Sequence, residues 1–171
     1  MKQSFEEKIP LGDDRLRSVC NHCEFVHYEN PKIVVGSVAI WENKILLCKR
    51  LIEPRIGYWT LPAGYLEKNE SPEEGAIREA QEEACAELEI DRVLAVYSVP
   101  RLSQVQITYR ARLKQSNVSA GPESEAVKLV TWDKIPWADI AFPSAEWALR
   151  HWHESRNQKD FPPYANPVAG F

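Results

Sequence analysis

Glu79, Glu82 and Glu83 stand at i, i+3 and i+4. On a helix that spacing puts side chains on one face, where like charges repel by a few tenths of a kcal/mol per pair. A divalent cation would remove the repulsion, and carboxylate oxygens favour hard ions such as Mg²⁺ or Mn²⁺ over zinc or copper. The same run also reads as a solvated helix face; spacing alone leaves both open. Arg78 lies one turn before Glu82 and can orient it through a charge-assisted hydrogen bond. The setting is unusual. Residues 67–89 hold nine carboxylates against Lys68 and Arg78, a local charge of −7 in a chain whose net charge is −4.

These side chains need a helix and a support beneath it. Ser71-Pro72-Glu73-Glu74 is a helix start, with Ser71 as N-cap, Pro72 at the first helical position and Glu74 closing a capping box. Helix formers continue to about Ala86, and Ala76, Ile77, Ala80 and Ala84 offer small apolar groups for packing on a sheet. Strands are expected at Lys32–Trp41 and Ile45–Arg50, joined as a hairpin, and at Val93–Val99, Val105–Leu113 and Val127–Trp132. A second helix fits Pro143–Glu154. Many strands and two helices imply a mixed sheet flanked by helices, an α/β (α+β) arrangement rather than regular βαβ alternation.

The order Gly64, Glu70, Arg78-Glu79-Ala80-Gln81-Glu82-Glu83 resembles the Nudix box, with every spacing met. The resemblance extends over about residues 32–155 and implies a Nudix fold, a mixed sheet sandwiched between helices. It also implies metal-dependent hydrolysis of the diphosphate in a nucleoside diphosphate linked to another group X. Carried over by position, Glu79, Glu82 and Glu83 would hold Mg²⁺ or Mn²⁺, joined by the backbone carbonyl of Ala63. Gly64 and Glu70 would be structural members of the box, and Arg78 would orient its acids. Glu82 is the box candidate for the catalytic base. Glu123 and Glu125 are candidates on a distant loop, with Glu125 preferred because it would alternate with Val127 and Leu129 along the strand. The closing glycine of the box is replaced by Cys85, which puts the helix exit in question.

The segment Arg50–Gly64, with Cys20-x-x-Cys23 and His27-Tyr28-Glu29-Asn30-Pro31-Lys32, resembles a Nudix subgroup carrying a small zinc ribbon before the hydrolase domain. That resemblance points to ADP-ribose, FAD or a related dinucleotide as substrate. Arg55, Tyr58 and Arg101 are the candidate substrate contacts. Aromatic side chains such as Trp59, Tyr97, Tyr109 and Phe142 are read first as core. A tetrahedral zinc site needs four ligands. Cys20 and Cys23 supply one pair, residues 1–19 hold no Cys or His, and His22 lies between the cysteines. An incomplete ribbon and no stoichiometric structural zinc are therefore expected.

The 171 residues divide into an incomplete ribbon-like segment at 1–31, a hydrolase domain at 32–155 and a tail at 156–171 containing FPPYANP, whose prolines argue against helix or central strand. A net charge of −4 argues against a general nucleic-acid binder. No apolar run is long enough to span a membrane, and the first residues resemble neither a signal nor a transit peptide. A cytoplasmic protein acting on a small nucleotide is expected, with a homodimer left open by the resemblance. The alternative is a Nudix-derived module that senses a nucleotide without cutting it. The intact box acids speak for the enzyme.

Overall fold

The computed structural model describes residues 4–168. The chain divides into two compact units at Pro31/Lys32. In the first, β1 (Phe5–Lys8), β2 (Arg17–Cys20) and β3 (Val26–His27) form an antiparallel sheet in sequence order.

The second unit is built on β4 (Lys32–Trp41), β5 (Lys44–Arg50), β6 (Trp59–Thr60), β7 (Ala63–Tyr65), β8 (Leu88–Val99), β9 (Gln104–Leu113) and β10 (Ser124–Thr131). Their order is β10-β5-β4-β9-β8, with β6 on β5 and β7 on β4. Only β4 and β9 run parallel among these named strand pairs; the others are antiparallel. Helices α1 (Pro72–Ala84) and α2 (Pro143–Ser155) flank the sheet. Alternation along the strands separates two cores. Val38 and Leu47 pack with Leu94, Leu149 and Trp152 on the α2 side. Ala39 and Leu46 pack with Ala80, Ala84 and Leu88 on the α1 side.

The expected hairpin of β4 and β5 is present, but the strands pair only at Ile40↔Ile45 and Trp41↔Lys44. Beyond that they part like a fork. The gap receives β6, paired to Cys48 and Lys49, and β7, paired to Val34, Val35 and Gly36. Gly36 permits this insertion, because a Cβ there would stand 2.5 Å from the Cβ of Ala63. The Ser37 amide then donates to the Pro62 carbonyl at 3.1 Å. The segment Pro62-Ala63-Gly64 is thus wedged into the sheet beneath α1.

The capping box at the start of α1 forms as expected: Ser71 Oγ accepts from the Glu74 amide, and the Glu74 side chain accepts from the Ser71 amide. The helix stops at Ala84, two residues before its expected end. Cys85 takes the left-handed conformation (φ 49°, ψ 34°) that the box glycine would supply, and the Ala86 amide donates to the Ala80 carbonyl at 3.2 Å. The exit geometry therefore survives the substitution. Ile77 is not part of the packed face; it is exposed, while Gly75, Ala76, Glu79, Ala80, Glu83 and Ala84 are buried.

After α2, residues 164–166 lie along the outer edge of β8. Tyr164 donates its amide to Leu94 O and accepts from the Val96 amide, both at 2.9 Å. Asn166 pairs with both the amide and the carbonyl of Ser98, at 2.8 Å each. The prolines exclude regular pairing, as expected, yet the residues between them supply enough donors and acceptors to dock the segment.

Candidate active site

The wedge and α1 together place the box. Gly64 faces Glu79 so closely that a Cβ on Gly64 would collide with the Glu79 carboxylate. The absence of a side chain at residue 64 is what lets Glu79 lie against the backbone. Glu83, one turn on, is buried beside Glu79 and accepts from the Ala63 amide. Cys48, buried on β5, hydrogen-bonds both Glu83 and Ser124. The Arg50 guanidinium supplies a positive field at Glu83.

Arg78 organises the outer side. Its Nε and Nη2 donate to the two oxygens of Glu70 at 3.0 and 2.9 Å, a bidentate pair. Nη1 donates to Glu79 Oε1 at 2.7 Å and Glu82 Oε2 at 2.9 Å, and Nη2 also donates to the Tyr65 carbonyl at 3.0 Å. Glu70 additionally accepts from the Glu67 amide at 2.6 Å. These donors pull the Glu70 carboxyl down to about 2. The three glutamates expected on one face are therefore not equivalent. Glu79 and Glu83 are buried, whereas the Glu82 side chain is 57% exposed at the rim and tied to Arg78.

Burial disfavours ionisation of both inner acids. It raises the Glu79 carboxyl, with Arg78 opposing. It raises Glu83 to about 8, helped by the negative charge of Glu79 and opposed by Arg50 and the Ala63 amide. Among the described residues no group of three acids, cysteines or histidines could hold a metal ion, and Arg78 engages both Glu79 and Glu82. Two adjacent carboxylates, both disfavoured as bare anions and offering only oxygen, suit a hard divalent cation. A hard divalent cation thus fits the chemistry of Glu79 and Glu83.

The loop before β10 is held by a close approach. A Cβ on Gly121 would run into the Glu82 carbonyl, and the Gly121 amide donates to the Glu83 carbonyl at 3.0 Å. This brings Glu123 near enough for its charge to act on both Glu79 and Glu83. Glu125 is placed differently. The ladder between β10 and β5 slips between Ser124 and Ala126, so Glu125 is the extra residue of a bulge and pairs with Lys49 Nζ at 2.8 Å. The expected alternation of Glu125 with Val127 and Leu129 is broken by that bulge. Glu123, the less favoured of the two in the sequence, is the one beside the box.

The candidate substrate residues are dispersed. The Arg55 guanidinium lies 4.6 Å from the Tyr58 ring centroid, and its Nε donates to the Ala141 carbonyl at 3.1 Å. Arg50 lies over Phe142 at 5.1 Å in the same neighbourhood. Arg101 is exposed in the turn between β8 and β9 and has no hydrogen bond or ion pair with the box acids among those described. Trp59, Tyr97 and Tyr109 are buried, as core residues should be. Sequence reasoning missed Arg50, Cys48 and Gly36. Their signals were slight: a cation and a thiol ending an apolar strand, and a glycine inside another.

The NUDIX domain model matches residues 30–152. The chain belongs to the Nudix family. A second family, Nudix N-terminal, matches residues 2–29, so the segment before the Nudix domain is of the ribbon type that its CxxC suggested. A Nudix hydrolase from Nitrosomonas europaea has a crystal structure similar to this Nudix chain, with a TM-score of 0.89 and 45% identity, covering 94% of this chain and 93% of that one. An ADP-ribose pyrophosphatase from Methanocaldococcus jannaschii is 29% identical over 113 residues, which is 64% of this chain and 67% of the relative. A MutT-like protein from Streptomyces ambofaciens is 32% identical over 103 residues, 60% of this chain and 66% of the relative. This chain thus spans about two thirds of these curated relatives. By class it is a Nudix pyrophosphohydrolase.

Proposed function

We propose that this Nudix chain hydrolyses the diphosphate bond of ADP-ribose or a related dinucleotide such as FAD, using Mg²⁺ or Mn²⁺. The observation that carries the reading is the buried Glu79–Glu83 pair, with Glu83 raised to about 8. As anions, two acids so placed are costly unless they bind a cation. Glu79 and Glu83 would hold it, joined at the rim by Glu82 and by the Ala63 carbonyl. When bound, such an ion neutralises diphosphate oxygens and makes hydroxide available near neutral pH.

The chain's own residues then divide the remaining work. Arg78 keeps Glu79 and Glu82 oriented, and Glu70 keeps Arg78 oriented. Arg50 offers positive charge to a substrate phosphate. Glu123, whose charge reaches both inner acids, would accept a proton from the attacking water, a role in which a positioned carboxylate contributes roughly 10²–10⁴-fold. Arg55 and Tyr58 form a stacked pair that can receive a base or ribose. ADP-ribose ranks first as substrate because the relative from M. jannaschii is named for it.

The test is product analysis with ADP-ribose, FAD, NADH, diadenosine polyphosphates and nucleoside triphosphates, with Mg²⁺, with Mn²⁺ and with a chelator. Conversion of ADP-ribose to AMP and ribose 5-phosphate, abolished by chelation, is expected. Binding of ADP-ribose without turnover would instead favour a sensor.

A further inference from the structure

The first unit brings two cysteines together in one turn. Cys20 ends β2 and is buried, with only 1% of its surface exposed, while Cys23 is exposed in the turn that follows. The turn is tight and fully bonded. The Cys20 amide donates to the Phe25 carbonyl at 2.8 Å, and the Glu24 amide donates to the Cys20 carbonyl at 3.0 Å with Glu24 in the left-handed region (φ 58°). Cys20 Sγ accepts from the backbone amides of His22 and Cys23 and contacts the Cys23 thiol. The loop is thus shaped to present two sulfurs together, one anchored below and one open to solvent.

Zinc does not fit this pair. A structural zinc site is tetrahedral and closed by four protein ligands. Among the described residues no third Cys, His, Asp or Glu joins the two sulfurs. A two-coordinate ion has no such requirement. Thiolates select soft ions, and Cu(I) is the common biological ion of that class.

We propose that Cys20 and Cys23 form a binding site for one soft monovalent cation of the Cu(I) type, held by two thiolates. Binding forms two S–Cu bonds and releases to solvent whichever thiol protons remain. No electrons are transferred.

The experiment uses the full chain, reduced with a non-thiol reductant under anaerobic conditions and titrated with Cu(I) against a chromogenic Cu(I) chelator. One Cu(I) per chain retained against the chelator is expected, with X-ray absorption showing two sulfur neighbours. Cys23→Ser alters only an exposed position and should keep the circular dichroism spectrum while losing the bound copper. Cys85→Ser, also exposed, should keep it. Several results would overturn the site: no retained copper, copper undiminished in Cys23→Ser, or nitrogen neighbours from histidine. Zinc held at one per chain, or at one per two chains, would also overturn it in favour of a closed tetrahedral site.

Discussion

The Glu79 carboxylate occupies the space that a side chain on Gly64 would fill. This glycine is required by a close approach and not by its backbone angle, since its φ is not among the positive ones. Gly64→Ala must push Glu79 out of its seat. Misplacing a catalytic group by about 1 Å can cost on the order of 100-fold in rate. A loss of that size in kcat, with an unchanged circular dichroism spectrum, is expected. Turnover within threefold of the parent would show that Glu79 does not need this seat.

Glu83→Gln should lower kcat by at least about 100-fold, the scale of losing one electrostatic partner in a closed site. Its effect on metal-free stability has the opposite sense. The folded carboxyl titrates near 8 against an ordinary value of 4.5. Between those limits the unfolded chain ionises while the folded one keeps its proton. Stability contributed by the neutral acid is therefore full below about 4.5 and is lost as pH rises through about 8. Thermal melts of the metal-free protein should show Tm falling across that window, and the Glu83→Gln protein should fall less steeply. Parallel curves for the two proteins would contradict the buried, protonated Glu83.

Glu123 and Glu125 should be separable by mutation. Glu123→Gln should reduce kcat by roughly 10²-fold or more, as expected for a general base. Glu125→Gln removes only a partly exposed ion pair with Lys49, worth about 0–1 kcal/mol. It should leave turnover within about twofold. Rates at saturating substrate and metal decide the matter; a greater loss at Glu125 would reverse the assignment.

Cys85 sits in the left-handed region at the end of α1, where a non-glycine residue costs roughly 1–2 kcal/mol. Cys85→Gly removes that strain at an exposed position. Denaturant unfolding should register a gain of up to about 1 kcal/mol, since glycine gives back part of the benefit through its looser unfolded chain. Unchanged or reduced stability would mean that the cysteine side chain makes a compensating contact.

Periodicity and punctuation carried much of the fold. The capping residues around Ser71 marked α1, and β-branched runs marked the long strands. Spacing also singled out the acids of α1 as candidates, without deciding between a metal site and a solvated face. What escaped were features set by contacts between segments distant in sequence. The fork between β4 and β5 depends on Gly36 meeting Ala63. The position of Glu123 depends on Gly121 meeting the last turn of α1, and that of Glu125 on a one-residue slip in a ladder. A strand read by simple alternation gives the wrong side whenever a bulge intervenes. The separation of Glu79 and Glu83 from Glu82 follows from which flank of α1 meets the sheet, a choice that i, i+3, i+4 spacing does not make.

The segment docked on β8 has a bearing on solubility. β8 ends the sheet, and an open strand at that place offers unpaired amides and carbonyls to any passing chain. Tyr164 and Asn166 satisfy part of that rim from Leu94 to Ser98, while Pro162, Pro163 and Pro167 cannot donate a further hydrogen bond outward. Residues 162–167 thus act as a guard against edge-to-edge polymerisation. Trimming them in an expression vector would uncover an adhesive surface on an otherwise well-packed molecule.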